Sequence, residues 1–170
     1  MARKVFFSFH YKPDNWRASQ VRNMGMVEGN QPCSDNDWEE ITKGGDPAIE
    51  TWINGQLAGK SCAVVLIGSG TAGRKWINYE IKKTWDDGKG VVGIYIHGLQ
   101  DVKEQQSTKG SNPFDSFTVN NGKTKLSSLV KAYDPPFKIS TNVYSHIKDN
   151  IATWIEEAIT IRNDFKPDPK

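Results

Sequence analysis

The sequence predicts a doubly wound α/β domain, a mostly parallel five-stranded sheet between two layers of helices. Three observations carry that expectation. Two runs, Cys62–Ile67 and Val91–Ile96, are apolar without interruption, as in strands buried on both faces of a parallel sheet. Segments with helical apolar spacing alternate with the strand-like runs, the pattern that builds parallel sheets by right-handed crossovers. Finally, 170 residues with 36% hydrophobic and 25% charged side chains are enough for one domain with a full core.

Taken in order, Val5 to Phe9 is a first short strand. Pro13-Asp14-Asn15 breaks it and caps a helix over Trp16 to Met24. Met26-Val27 fits a short edge strand, Gln31 to Asn36 a loop, and Trp38 to Ile41 is an ambiguous stub. Asp46-Pro47 pairs an N-cap with proline at the first helical position. Ile49, Trp52, Ile53 and Leu57 then fall on one stripe, and Gly59 ends the helix. After the Cys62–Ile67 strand comes a helix over Lys75 to Trp85, closed by Asp86-Asp87-Gly88, and then the Val91–Ile96 strand.

Residues 99–136 are long, polar and turn-rich, either a lid or a plain surface excursion, with Asn120-Asn121-Gly122 as a hairpin tip. Phe137 to Ile139 is read as the last strand. Ile147, Ile151, Trp154, Ile155 and Ala158 mark a final amphipathic helix, and residues 166–170 a frayed polar tail. Residues 1–165 form a single domain on this reading. Five strands suggest the flavodoxin-like winding, order 2-1-3-4-5, with ligands beyond the carboxyl ends of strands 1 and 3.

Composition narrows the function classes. With 22 basic and 20 acidic residues the formal net charge is +2, and no Lys/Arg stripe marks a nucleic-acid surface. Cys33 and Cys62 have no partners at metal-ligand spacing, so no metal is expected and both read as reduced. The opening MARKVFFSFHYK has too short an apolar run for a signal peptide, and no stretch reaches the ~20 apolar residues of a membrane span. The expectation is a cytoplasmic protein.

Gly68-Ser69-Gly70-Thr71-Ala72-Gly73 is a literal G-x-G-x-x-G. A dinucleotide fingerprint belongs after the first strand of its unit and needs an acidic residue ending the next one. This match follows the third strand, and the next strand ends Tyr95-Ile96-His97-Gly98. The match is therefore read as accidental, its amides open to a phosphate only as part of a different site. A phospho-receiver needs carboxylates at the ends of strands 1 and 3, and a flavodoxin a Ser/Thr/Gly-rich loop after strand 1; Gly68-Ser69 and Phe9-His10-Tyr11-Lys12-Pro13 supply neither.

On the helix after strand 3, Ile77, Ile81 and Trp85 form the inward stripe, and Trp76 and Glu80 share its flank. A carboxylate there, beside an indole and near Ser69, suits the vicinal hydroxyls of a sugar. The plain alternative is a solvated ion pair of Glu80 with Lys75, Lys82 or Lys83.

Two segments tip this balance. Lys4-Val5-Phe6-Phe7-Ser8-Phe9-His10-Tyr11 resembles the first strand of a TIR domain. Trp76-Ile77-Asn78-Tyr79-Glu80-Ile81 resembles the W-x-x-x-E-[IL] segment of NAD-cleaving TIR domains. Further segments (VRN, WEE, INGQL, VLIGS, RKWINYEIKK, GIYI, NPFD) resemble the TIR-like B component of the Thoeris anti-phage system, over most of residues 4–115. The resemblance implies that NAD is substrate, with no cofactor, and that Glu80 is catalytic. It also implies a cyclic ADP-ribose isomer as product, activating a downstream effector. Ser8, Phe9, His10, Ser69, Trp76, Tyr79 and Asn112 are the candidate substrate-binding residues, His10 being either pocket wall or capped surface residue. A phage-derived trigger and a second copy of the chain are candidate partners. The competing reading is a non-catalytic TIR-like scaffold or a nucleotide-sensing module.

Overall fold

The structure is a computed structural model that describes residues 3–30 and 35–169. Its main sheet is parallel, with strands β1 (Lys4–Ser8), β2 (Glu28–Gly29), β3 (Cys62–Ile67), β4 (Gly90–Tyr95) and β7 (Ala132–Tyr133). They lie in the order β2-β1-β3-β4-β7. This is the predicted winding, the fifth strand of the sheet being the seventh in the chain. A small antiparallel ribbon, β5 (Thr118–Val119) with β6 (Thr124–Lys125), stands apart. Its tip is Asn120-Asn121-Gly122, all at positive φ, as expected for a tight hairpin.

Side-chain alternation sorts the helices onto two faces. Val5, Phe7, Val64, Leu66, Val92 and Ile94 point to one face, covered by α1 (Tyr11–Arg22) and α5 (Ser140–Asp164). Val65, Ile67, Val91 and Tyr95 point to the other, covered by α4 (Lys75–Asp86) and by Phe114, Leu126 and Val130. Phe6, on that same face, packs with Ile49, Ile53 and Leu57 of α3 (Gly45–Leu57). Both apolar runs read as central strands are buried along their whole length.

Several boundaries differ from expectation. The first helix begins at Tyr11, not after Pro13-Asp14-Asn15. Proline is tolerated in a first turn, where its missing N–H has no intrahelical acceptor to lose. Asp14 is thereby inside the helix and buried, not a cap. The edge strand sits two residues later than Met26-Val27. The ambiguous stub belongs to a helix, α2 (Asp35–Lys43), and Trp38 packs edge-on against Trp52 of α3. Cys33, and residues 31–34 of the expected loop, lie outside the described residues; residues 35 and 36 begin α2.

Phe137 to Ile139 is not a strand. The final strand is Ala132–Tyr133, paired with Gly93 and Ile94. Pro135-Pro136 follows it, and prolines have no N–H to donate to a ladder. Phe137 and Ile139 are left exposed beyond it. Phe165, just before the tail, packs on Trp85 with centroids 5.2 Å apart, and the tail is tied down at Asp168 instead of frayed throughout. The Asp168 N–H donates to Asn120 Oδ1 at 2.8 Å.

The long 99–136 segment is fixed to the body. Arg17 donates to the Leu99 and Gln105 carbonyls, Gln106 to those of Gly98 and Lys138, and the Ser107 N–H to the His97 carbonyl. Phe114, inside this segment, is fully buried. It lies over Gly93, where any side chain would collide with the Phe114 ring and Ile67. Glycine in the middle of a central strand is thus a vacancy that Phe114 fills. Phe114→Ala is expected to cost about 3–5 kcal/mol, read as a lower denaturant midpoint in equilibrium unfolding; an unchanged midpoint means the segment is not part of the core.

Candidate active site

The carboxyl ends of β1 and β3 meet the flank of α4. Ser8 closes β1 on the α3/α4 face and is 1% exposed. Glu80 is 9% exposed, on the flank of α4 beside the Ile77–Ile81–Trp85 stripe. Glu80 Oε2 and Ser8 Oγ are both enclosed and have no hydrogen-bond partner other than each other among the described residues.

The expected alternative for Glu80, a solvated lysine pair, does not form. Lys75 pairs with Asp46, Lys82 with Asp86 at 2.7 Å and Lys83 with Asp87 at 3.0 Å. Without a cation beside it, burial pushes the Glu80 carboxyl from an ordinary value of 4.5 up to about 8; the nearby Ser8 hydroxyl favours the anion and offsets part of that rise.

The other candidates divide by position. His10 is the N-cap of α1 without capping it through its side chain, and its Nδ1 is enclosed and unpartnered. It faces the β3–α4 turn: a Cβ at Gly70 would lie 3.7 Å from His10 Nδ1 and 4.0 Å from Arg74 Nη2. Ser69 is exposed in the same turn. Trp76 and Tyr79 meet edge-on at 5.7 Å and lean toward α3, where the Tyr79 hydroxyl donates to Asn54 Oδ1. Lys75 Nζ lies 4.9 Å over the Trp76 ring. Phe9 packs with the core under α1 and α5, stacked on Tyr11. Asn112 uses its Oδ1 to accept the Phe114 N–H and cap its own turn. The structure therefore brings Ser8 and Glu80 together, places His10 and Ser69 along the same rim, and keeps Phe9 and Asn112 in local roles.

Asp14 and Arg17 were not among the sequence candidates. They form a buried pair, Arg17 Nη1 to Asp14 Oδ1 at 3.1 Å, beneath the β3–α4 turn. A side chain at Gly68 would collide with the Asp14 carboxylate, and one at Gly110 with the Gly68 carbonyl. The first glycine of the G-x-G-x-x-G run is thus wedged between α1 and the 107–112 segment, with its N–H given to Thr71 Oγ1 at 2.8 Å. That is a packing role, not a pyrophosphate cradle. The i,i+3 spacing of Asp14 and Arg17, in line with Ala18 and Val21, was the available sequence signal.

A shallow depression along α5, lined by Thr153, Glu156, Glu157 and Thr160, faces away from this site. Among the described residues no cluster of His, Cys, Asp or Glu is arranged to hold a metal ion, and no helix is long and apolar enough to cross a membrane.

With this geometry in place, the relatives can be compared. The family model for "Thoeris protein ThsB, TIR-like domain" matches residues 6–101. The chain belongs to that family. The match takes in the end of β1 with β3, α4 and β4, and so contains Ser8, His10, Ser69, Trp76, Tyr79 and Glu80. A protein of Bacillus cereus (strain MSX-D12), named "Putative cyclic ADP-D-ribose synthase ThsB1", is 40% identical over 120 residues. That alignment covers 68% of this chain and 62% of the relative, so the chain spans less than two thirds of that protein's length.

The raised carboxyl has a consequence for stability. Between pH 4.5 and about 8 the folded state holds a proton on Glu80 that the unfolded state has released, so folding weakens as pH rises through that window. Glu80→Gln removes this term. The variant is expected to gain on the wild type from pH 5 to pH 8, by on the order of a few kcal/mol, in denaturant unfolding at several pH values. A pH-independent difference means that Glu80 is solvated.

Proposed function

We propose that this domain cleaves the nicotinamide N-glycosidic bond of NAD and closes the remaining ADP-ribose into a cyclic isomer, a signal in anti-phage defence. The observation that supports it most is the Glu80 carboxyl, buried without a cation beside Ser8 at the ends of β1 and β3. Membership of the family and the name of the Bacillus cereus relative point to the same chemistry.

Nicotinamide in NAD is a cationic leaving group that departs with the bonding electron pair and becomes neutral, so little acid assistance is required. The ribose then carries oxocarbenium character, as in glycoside hydrolysis. An ionised Glu80 in a site closed to water stabilises positive charge that develops only in the transition state. The Ser8 hydroxyl holds that anion in place. The new bond to the anomeric carbon comes from a nucleophile on the same molecule, either a ribose hydroxyl, which gives up its proton, or an adenine ring nitrogen, whose new positive charge is relieved by loss of a proton from the amino group; excluding water favours this over hydrolysis. In the resting site Glu80 is protonated at neutral pH, and a positively charged nicotinamide ring beside it favours loss of that proton. The downstream partner is an effector reached through the product, and a phage-derived trigger or a second copy of the chain controls opening of the site.

The deciding experiment follows free nicotinamide from NAD, with and without lysate of phage-infected cells, and identifies the product by mass spectrometry. Glu80→Gln is expected to abolish release in a folded protein; release that persists defeats the assignment. No turnover by wild type under either condition, with nucleotide still bound, returns the reading to a sensing module.

The protonation state adds a sharper test. With the anion as the working form, kcat/KM for NAD rises with pH and levels off above about 8. Because the Ser8 hydroxyl favours the anion, Ser8→Ala is expected to move that rise to higher pH. A rate that falls with pH in the same range assigns Glu80 the role of a proton donor instead.

A further inference from the structure

We infer that Arg74 and His10 form an anion-binding arm of this site and hold the diphosphate of the dinucleotide whose ribose lies against Glu80, an inference that rests on the reading above. The β3–α4 turn sets the geometry. Arg74 is the residue just before α4, and its Nε donates to the Gly70 carbonyl at 3.0 Å. That bond fixes the guanidinium over the turn and leaves its terminal nitrogens without a hydrogen-bond or ion-pair partner among the described residues. The other arginines are engaged: Arg3 with Glu156, Arg17 with Asp14, Arg22 with Asn30 and the faces of Phe7 and Phe9, and Arg162 with the Trp85 ring and carbonyl.

A Cβ at Gly70 would come within 4.0 Å of both His10 Nδ1 and Arg74 Nη2, so both border the same turn, and His10 Nδ1 is unpartnered among the described residues. Neither α1 nor α4 receives a side-chain cap from its N-cap residue, His10 or Arg74, and the positive ends of the two helix dipoles point toward the same rim. Burial, and then the positive charges of Arg74 and Lys12, hold the His10 imidazole below the usual range. Beside this rim the Ser8 hydroxyl is almost completely buried, next to the Glu80 carboxyl.

The spacing suits one substrate. Glu80 lies six residues after Arg74, about 9 Å along the helix axis. A nicotinamide ribose joins its base at C1′ and its phosphate through C5′, across the sugar ring. With C1′ at Glu80, the 5′ phosphate is carried toward the N-terminus of α4, where a guanidinium fork matches phosphate oxygens.

The test compares NAD with nicotinamide riboside, which has the same glycosidic bond and no diphosphate. Arg74→Ala is expected to raise KM for NAD about 10- to 100-fold with kcat little changed, and to leave kcat/KM for the riboside unaltered. Arg74→Lys recovers part of the loss. Equal losses on both substrates would make Arg74 a brace of the turn, and an unchanged KM for NAD would remove it from the site; either overturns the inference. Calorimetry with inorganic pyrophosphate separates this from the NAD-cleaving reading. If wild type cleaves neither substrate, that reading fails. Pyrophosphate binding by wild type that is lost in Arg74→Ala still sustains the anion arm, whereas no binding by wild type overturns it.

Discussion

Removing a carboxyl group from water without giving it a cation is costly, and that cost sits at the junction of β1, β3 and α4. Lysines occur on the same helix at positions 75, 82 and 83, yet each turns to an aspartate instead of Glu80. Glu80 lies on the flank that faces the sheet end, and the lysine heads stay at the surface. The group is therefore stable as the neutral acid and poised to become an anion when positive charge enters the site. Affinity for a developing cation and instability of the empty anion have the same physical origin. A buried carboxyl without a cation is thus a local cost in stability.

The surrounding scaffold limits where that side chain can go. Below the β3–α4 turn, Asp14 and Arg17 lock α1 to the start of the 99–136 segment through the Leu99 and Gln105 carbonyls. Above it, Gly110 meets the Gly68 carbonyl so closely that no Cβ fits. The turn is thus clamped from two sides, and the Gly70–Arg74 stretch that follows is presented on a rigid base. Fixing the donors ahead of time is what makes electrostatic stabilisation effective, because nothing must reorganise as charge develops.

Much of this was legible because the signals were periodic. Uninterrupted apolar runs identified β3 and β4 as central, and helical spacing put Glu80 on an inward flank. The weak signals were short or depended on distant partners. The two-residue strands β2 and β7 carry no periodicity and take their position from the neighbouring strand, which is why Phe137–Ile139 was the more attractive candidate in the sequence. The burial of Phe114 depends on the gap at Gly93, and that of Asp14 on the guanidinium one turn away; both are facts of the third dimension. For Glu80 the sequence left an ion pair and a binding role open. The positions of the three lysine side chains, each on an aspartate, remove the ion pair.

Closure of the site has a cheap physical basis. Along the face where α4 meets α3, the links are the Asp46–Lys75 ion pair and the Tyr79–Asn54 hydrogen bond, with Trp76 resting on the α3 core cluster. The charged groups of the first are more than half exposed. Such surface pairs are worth about 0–1 kcal/mol each. The α1 side, by contrast, is held by a buried pair and several backbone contacts. The Ser8, His10 and Arg74 rim therefore borders the more firmly held α1 side, while the Glu80 flank of α4 meets α3 through weaker surface contacts.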